Sequence, residues 1–356
     1  MALTESSSGL RVDDFDYDLP EELIAQLPLE QRDASRLMVV DRASGSIQHS
    51  TIARLSDWLD PGDLLVANNS RVIPARVMAR KHGTGGRVEL LLLRRQNDGS
   101  WQSLAKPSRR LRIGTRLVVM PAVGSALRQI EVHVRDVAGD GRVVLALAGD
   151  ERDCLEEYGS VPLPPYIRTR LDDSERYQTI YATTVGSAAA PTAGLHFTPE
   201  LLARLGEHGV RWAEVTLHVG LDTFRPVSVE RVDDHHMHGE WWSVPDETAQ
   251  AVADTRMAGG RIVAIGTTTA RTLEAFGGGW NAAAPKGSAG TTDLFVRPGH
   301  TWGLVDAMLT NFHLPRSTLL MMVSSLAGTS LARLAYGTAV NQRYRFFSFG
   351  DAMLIR

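Results

Sequence analysis

Cysteine and long apolar runs are nearly absent from this sequence of 356 residues. Cys154 is the single cysteine, which excludes a disulfide framework and a cysteine-based zinc site. The most apolar stretch, residues 314–326, is interrupted by Pro315 and Arg316 and falls short of the roughly 18 residues of a membrane span. The first 18 residues are polar and acidic, without the apolar core of a signal peptide. We therefore expect a cytoplasmic protein that does not enter a membrane.

The composition supports a folded enzyme-sized chain with an uneven charge distribution. Hydrophobic residues make up 43% and charged residues 22%, which suits one or two domains with buried cores. Residues 1–70 carry 13 acidic and 5 basic side chains, whereas residues 71–116 carry 12 basic and 2 acidic ones. A basic segment of this kind suits contact with phosphates, but Lys and Arg also protect exposed strand edges. Charge alone leaves both interpretations open.

Short strands separated by turns are predicted from about residue 73 to residue 147. Gly, Asn and Asp interrupt this region at intervals of roughly 10–15 residues, and its runs lack helical periodicity. The pattern predicts a small inserted β-barrel or sandwich. The predicted strands are residues 87–93, 115–120, 130–137 and 141–146.

Strands and helices alternate on both sides of this insertion, which predicts a helix-covered sheet. Thr198 and Pro199 begin one helix, and Gly209 lies beyond its end. We expect an α/β fold with a larger domain formed by residues 1–74 and 156–356 and a β-barrel at residues 75–155. The predicted strands of the larger domain are residues 37–41, 64–68, 211–218 and 261–266. The predicted helices are residues 19–32, 199–209, 246–258, 317–326 and one that begins at residues 269–276.

Two runs have the chemistry of a ligand pocket. Residues 187–197 are small and lead into the helix at Pro199, so that backbone N–H groups can approach an anionic ligand, with His196 as a possible acid or base. Residues 216–224 follow a predicted strand, where ligands bind in open α/β sheets. A tight turn beside a core histidine fits the first run equally well, since the Lys of a phosphate-binding loop is absent.

Residues 233–240 form the densest polar cluster, with three histidines and Glu240. Metal binding, acid–base chemistry and an exposed loop all fit this cluster, although no H-E-x-x-H motif is present. A metallohydrolase is therefore one alternative function, and a non-enzymatic RNA-binding module is another.

Two further runs present polar groups next to predicted elements. Residues 262–274 combine a strand, a glycine turn and a helix opened by threonines, which suits a nucleotide or a carboxylate but also a capped joint without a ligand. Residues 310–317 place Asn311 and His313 ahead of a buried helix.

Together the runs resemble one family, the S-adenosylmethionine:tRNA ribosyltransferase-isomerases of queuosine biosynthesis. They occur in order over almost the whole chain, so that a chance match is negligible although each run alone is weak. The runs are residues 64–77, 158–167, 175–182, 186–198, 215–227, 234–240, 265–274, 305–328 and 344–355.

The resemblance implies that the ribosyl unit of S-adenosylmethionine is transferred to 7-aminomethyl-7-deazaguanine at the wobble position of a tRNA and isomerised. The products are epoxyqueuosine in the tRNA, adenine and methionine. S-adenosylmethionine is then a substrate, and we expect no cofactor and no metal. We also expect a monomer, as is usual in the family.

The resemblance also suggests roles for residues in the matching runs. His196, His218 and His238 have the ordinary pKa of proton-transfer groups, and Phe197, Phe224 or Phe312 can face the sulfonium. Arg71, Arg76, Lys106, Arg109 and Arg110 would hold tRNA phosphates. The expected substrate-binding residues are Thr192, Gly194, Phe197, Gly220, Thr223, Glu240, Thr267, Thr268, Arg271, Asn311 and His313.

Three features depart from the family pattern. Asp222 stands where glycine is usual, and Trp241 and Trp242 are bulkier than the common residues after the histidine cluster. Residues 277–290 form a Gly/Ala/Ser-rich loop that is expected to vary. None of these features removes a candidate catalytic group.

Overall fold

Two compact units make up the described part of the chain. The computed structural model describes residues 9–96, 98–120, 130–138, 141–148, 155, 158–220 and 227–356. The larger unit comprises Met1–Arg71, Pro165–Thr184 and Ala190–Arg356, and the smaller comprises Val72–Pro164 and Val185–Ala189.

The described residues contain eighteen β-strands and five α-helices. The strands are β1 Arg36–Asp41, β2 Ser46–Thr51, β3 Leu64–Asn68, β4 Ser70–Val72, β5 Arg76–Lys81, β6 Arg87–Arg95, β7 Trp101–Lys106, β8 Arg116–Val119, β9 Glu131–Val137, β10 Arg142–Ala148, β11 Gly159–Ser160, β12 Thr184–Ser187, β13 Arg211–Leu217, β14 Glu240–Val244, β15 Ile262–Ile265, β16 Ser288–Thr292, β17 Ala307–Asn311 and β18 Ala352–Ile355. The helices are α1 Pro199–Glu207, α2 Asp246–Met257, α3 Thr267–Gly277, α4 Thr318–Ala327 and α5 Thr329–Asn341.

Nine described strands of the larger unit form one mixed sheet. Their order is β16-β14-β13-β3-β15-β17-β18-β1-β2. The neighbours β13, β3, β15 and β17 are parallel, so that their carboxyl ends meet at one edge. Strand β18 lies between β17 and β1, antiparallel to the first and parallel to the second.

The central strands are apolar because both faces of the sheet are covered. Every residue of β3 is buried. Leu65 and Ala67 belong to a core cluster with Leu201 and Leu205 of α1, while the alternate residues of β3 point away from that cluster. Helices α2 and α3 also contact the sheet. The predicted strands at residues 37–41 and 64–68 are confirmed.

The smaller unit contains a closed six-stranded antiparallel barrel. The strand order is β5-β6-β7-β10-β9-β8, and β8 pairs back onto β5 to close it. Along β7, Trp101, Ser103 and Ala105 are buried while the residues between them are more exposed, as the pleat requires. The predicted fold class, an α/β sheet with a small inserted barrel, is therefore confirmed.

The helix predicted at residues 19–32 is wrong. Only two single 3₁₀ turns form there, at Glu21–Leu23 and Arg32–Ala34. Ile24 after the first turn and Gln31 before the second have extended backbones, and Ala25 N–H donates to the carbonyl of Phe346 at 3.2 Å. Pairing with the distant C-terminal segment thus replaces the local helical bonds.

The other predicted helices of the larger unit form near their expected positions. Thr198 caps α1, with its hydroxyl accepting the N–H of Leu201 at 3.1 Å, and Ser317 caps α4 in the same way at 3.2 Å from Leu320 N. Among the described residues no single helix is long and apolar enough to cross a membrane. Only α4 and α5 taken together reach that length and composition, and they meet at an angle of 116°.

Candidate functional site

The carboxyl ends of the parallel strands carry polar residues that lie at one edge of the sheet. β3 ends in Asn68 and β17 ends in Asn311, while His218 follows β13 and Gly266 follows β15. This edge is where open α/β sheets bind ligands.

A cavity with about 630 Å³ of empty space, part of it open solvent, lies at this edge. Its wall includes five of the predicted substrate-binding residues and also Phe312, one of the three aromatic residues considered for the sulfonium. The five are Thr192, Thr267, Thr268, Asn311 and His313.

A buried hydrogen-bond chain lies behind one wall of this cavity. His196 Nε2 is 3.2 Å from Asn311 Nδ2, and Asn311 Oδ1 is 3.0 Å from Thr192 Oγ1. His196 and Asn311 are only 4% and 2% exposed. Burial lowers the pKa of His196 to about 4, despite a ring hydrogen bond to the backbone of Arg32 that favours the charged form. His196 is therefore neutral at physiological pH.

His313 is a second neutral histidine. Its Nε2 lies 2.7 Å from Thr310 Oγ1, and its backbone is held on both sides, by the N–H donating to Tyr336 Oη at 3.0 Å and the carbonyl accepting from Tyr17. Burial lowers the pKa of His313 to about 3. The side chain is thus fixed on the cavity wall without charge.

A second cavity of about 300 Å³ shares Thr267, Thr268 and Leu319 with the first. Its wall is mainly apolar, and the one charged residue among the described residues that line it is Arg271, which is 5% exposed. Arg271 pairs with Glu240, also buried. Burial lowers the pKa of Arg271 to about 10, so that the guanidinium stays protonated at neutral pH.

Glu240 also joins two other segments of the site. Its Oε1 accepts the backbone N–H of Gly220 at 2.8 Å. The carboxylate thus connects the segment after β13 with α3, which carries Arg271. Thr223 and Phe224, also considered for the site, lie outside the described residues, as does Asp222.

His218 is half-buried and stacks on the exposed ring of Trp241, with centroids 5.1 Å apart and planes 23° apart. Within the described residues, its buried Nδ1 has no hydrogen-bond partner. Burial lowers the pKa of His218. His218 is therefore neutral and lies directly after the carboxyl end of β13.

The structure places the remaining pocket candidates away from the cavity walls. Phe197 is fully buried in the core cluster and packs edge-to-face against Tyr181 and Trp212. Gly194 is buried where an added Cβ would lie 2.0 Å from the Tyr181 hydroxyl oxygen. His238 is exposed. In the part of the chain that the structure describes, no group of three His, Cys, Asp or Glu is placed to hold a metal.

The predicted phosphate-binding residues differ in exposure. Arg71, in the larger unit, is partly buried and pairs with Glu175. In the smaller unit, Arg76 lies 3.7 Å from Glu89 and donates to the carbonyl of Leu163 at 3.2 Å. Lys106, Arg109 and Arg110 of the smaller unit are exposed.

Asn68 was not among the residues predicted from the sequence, and it lies fully buried at the edge of the site. Its Oδ1 accepts from Leu217 N and its Nδ2 donates to Leu217 O, both at 3.0 Å, and Nδ2 also lies 3.3 Å from Thr268 Oγ1. Asn68 thus ties β3 to the end of β13 and to the start of α3. An asparagine that ends an apolar strand was the available signal. Tyr166 and Ser348, which also line the larger cavity, gave no such signal because they come from distant segments.

Comparison with known proteins agrees with the nine sequence runs. A family model described as queuosine biosynthesis protein matches residues 12–355. The chain is also similar to a solved structure, an S-adenosylmethionine tRNA ribosyltransferase from Thermotoga maritima. The two are 41% identical, with 96% of this chain and 100% of that chain covered and a TM-score of 0.54. The family resemblance is thereby confirmed.

Proposed function

This chain belongs to the queuosine biosynthesis protein family, and from that premise we propose that it is an S-adenosylmethionine:tRNA ribosyltransferase-isomerase. The ribosyl unit goes to the aminomethyl group of 7-aminomethyl-7-deazaguanine at the wobble position and is isomerised to the epoxycyclopentanediol. Adenine and methionine leave. The observation that carries this proposal is the cavity at the parallel strand ends, with Thr192, Thr267 and Thr268 on its wall, in a chain 41% identical to a protein named an S-adenosylmethionine tRNA ribosyltransferase.

The groups on the larger cavity suit a nucleoside with a sulfonium. Hydroxyls of Thr192, Thr267 and Thr268 can hydrogen-bond to ribose hydroxyls or to the base. Phe312 lines this cavity but is fully buried, with its ring packed against Tyr336, Tyr344 and Phe346, so we assign it no contact with the positive sulfur. Among the described residues, those that line this cavity are uncharged, which suits a donor that carries its own positive charge.

The reaction needs a base for the acidic proton on the carbon beside the sulfonium and a donor for the departing adenine. His218 and His238 remain our candidates for these proton transfers. His218 meets the main demand on a base, since burial favours its neutral form. The attacking aminomethyl group must also be neutral when it reaches the ribosyl carbon.

The second cavity suits the amino-acid end of the donor. Apolar side chains on its wall can contact the methionine carbon chain, and the buried guanidinium of Arg271, which also pairs with Glu240, can bind the carboxylate. Replacing Arg271 by Met should therefore lower the affinity for S-adenosylmethionine about tenfold or more. The affinity for decarboxylated S-adenosylmethionine should hardly change. Calorimetric titration of both ligands measures this. Equal losses for the two ligands would contradict the assignment of the carboxylate to Arg271.

The tRNA partner supplies an anticodon loop, whose unstacked bases can enter a pocket at modest cost. We assign the flanking phosphates to Arg71, Arg76, Lys106, Arg109 and Arg110. We further infer a cytoplasmic monomer that works without a metal. Sedimentation and metal analysis of active protein test the last two points.

The direct test incubates the protein with S-adenosylmethionine and tRNA that carries the aminomethyl-deazaguanine. We expect stoichiometric release of adenine and methionine, measured by chromatography, with epoxyqueuosine in digests of the tRNA. Unmodified tRNA is the control and should give no adenine. Absence of adenine from the modified tRNA under all conditions would refute the proposal.

A further inference from the structure

The orientation of the Asn311 amide is fixed by its surroundings. Its Nδ2 lies 3.5 Å from the backbone carbonyl of Asp351, a group that only accepts hydrogen bonds. The reversed amide would put two acceptor oxygens against each other. The amino group therefore faces Asp351 and His196, and the amide oxygen faces Thr192.

This orientation determines which ring nitrogen of His196 is protonated. Because Asn311 donates to Nε2, that nitrogen must be the acceptor, and the proton must lie on Nδ1. The ring lies inside the protein, since His196 is 4% exposed.

The same chain determines what Thr192 presents to the ligand. The hydroxyl donates its only hydrogen to Asn311 Oδ1 at 3.0 Å. The hydroxyl oxygen, with its two lone pairs, can then only accept. Since Thr192 lines the larger cavity, this wall accepts a hydrogen bond from a ligand N–H or O–H.

From this chain we propose that His196 is a positioning residue that acts through Asn311 to make Thr192 an obligatory hydrogen-bond acceptor for the ribosyl donor. Thr192 accepts from a ribose hydroxyl or from the exocyclic amine of the purine. These groups carry the O–H and N–H hydrogens of the nucleoside in S-adenosylmethionine. The inference rests on the proposed function for the identity of the ligand. It removes His196 from the candidates for the base.

Two substitutions at His196 separate positioning from proton transfer. In His196→Gln the side-chain oxygen can still accept from Asn311, so we expect donor affinity within about threefold of wild type. His196→Leu removes the acceptor and should raise KM for the donor about tenfold, with an unchanged pH profile of kcat. His82→Leu, at an exposed position of the barrel, is the matched control.

A catalytic base would behave differently. Both His196 variants would then lose kcat by about 10²–10⁴-fold, and the acid limb of the pH profile would change. That result would overturn the proposal. Near-ultraviolet circular dichroism of each variant identifies any that fails to fold, and the Thr192 variants then decide.

Substitutions at Thr192 test the acceptor directly, without tRNA. Thr192→Ser keeps the hydroxyl and Thr192→Val removes it. Calorimetric titration would use S-adenosylmethionine, its 2′-deoxy and 3′-deoxy forms, and a form with a dimethylated purine amine. One analogue should bind about tenfold more weakly than S-adenosylmethionine to wild type and to Thr192→Ser. The same analogue should bind to Thr192→Val almost as tightly as S-adenosylmethionine does.

If no analogue shows this difference, Thr192 is not the acceptor and the inference fails. A wild-type protein that does not bind S-adenosylmethionine at all would instead refute the proposed function. The two failures are therefore distinguishable in one series of titrations.

Discussion

Histidines that look alike in the sequence differ in the structure because of burial. His196 and His313 are held neutral with pKa values of about 4 and about 3. The side chain of His238 is exposed to solvent, and that of His218 is half-buried. The residue types and their local runs are therefore visible in the sequence, but their protonation depends on how deeply the folded chain buries each ring.

The first prediction concerns the pH dependence of the reaction. A base must be neutral, and burial lowers the pKa of His218 below its usual value of about 6.5. If His218 is the base, the ratio of the wild-type kcat/KM to that of His218→Gln, in which the titration of the substrate amine cancels, stays level as pH falls through 6.5 and declines only in more acidic solution. At neutral pH this ratio should be about 10²–10⁴. Adenine release by both proteins from pH 4.5 to 8 measures it, and a ratio that declines from above pH 7 would exclude His218.

The second prediction concerns Gly194, which the sequence assigns to substrate binding. An added methyl group would lie 2.0 Å from the Tyr181 hydroxyl oxygen and 2.8 Å from the Thr179 methyl carbon. Gly194→Ala should therefore lower the free energy of unfolding by about 1–3 kcal/mol. Urea unfolding measures it. Gly206→Ala, in α1 with no atom within 4 Å of its Cβ, is the control and should be neutral or stabilising.

Elements with a local sequence signal were easier to predict than irregular segments whose backbone bonds to a distant part of the chain. The apolar run of β3 predicts a buried strand, and Thr198 with Pro199 predicts the start of α1. Residues 19–32 read as a helix because the partner of their backbone, the segment around Phe346, lies more than 300 residues away. Local pattern contains no information about such pairing.

Asp63 connects two elements and gives the third prediction. It precedes β3 and accepts hydrogen bonds from the backbone N–H and the Nε of Arg261, both at 3.1 Å, just before β15. Burial alone raises the pKa of Asp63, but the hydrogen bonds from Arg261 and from Asp60 N–H lower it overall.

A lowered carboxylate pKa stabilises the fold above the unfolded value of about 3.9, and this stabilisation disappears as pH falls through the folded value. Asp63→Asn should cost about 2 kcal/mol at pH 7 and reduce the loss of stability on acidification. Urea unfolding at pH 7 and in acid measures both. Asp60→Asn, at a position whose side chain is 76% exposed, is the control. An equal loss in both variants would contradict a specific role for Asp63.

For the whole molecule, the sequence predicts the α/β class from the alternation of strands and helices, and the inserted barrel from short strands separated by turns. Both patterns are local in the sequence. The assembly of the site is less accessible to sequence reasoning. Asn68 and Asn311 end two strands of the sheet and Thr192 lies in a 3₁₀ turn, so that the strand order and the packing of that turn together build the site.

The fourth prediction belongs to the exposed basic residues of the barrel. If Arg109 and Arg110 each contact a phosphate, Arg109→Ala/Arg110→Ala should reduce the slope of log K for tRNA against log salt by about 1.4–1.8. S-adenosylmethionine affinity should not change. Arg54→Ala/Arg343→Ala, with side chains 70% and 68% exposed in the larger unit, is the matched control. An unchanged slope would assign these barrel arginines to solubility.

The placement of β18 has a consequence for how the protein is made. Leu37 of β1 pairs with Ala352 of β18, so that the early β1–β2 hairpin joins the sheet only through a strand synthesised at the far end of the chain. At 5–20 residues per second, the apolar edge of β1 waits roughly 15–60 s on the ribosome for its neighbour. A nascent chain with such an unpaired edge needs shielding from other nascent chains. Chaperone supply and translation speed therefore become determinants of the yield of this enzyme.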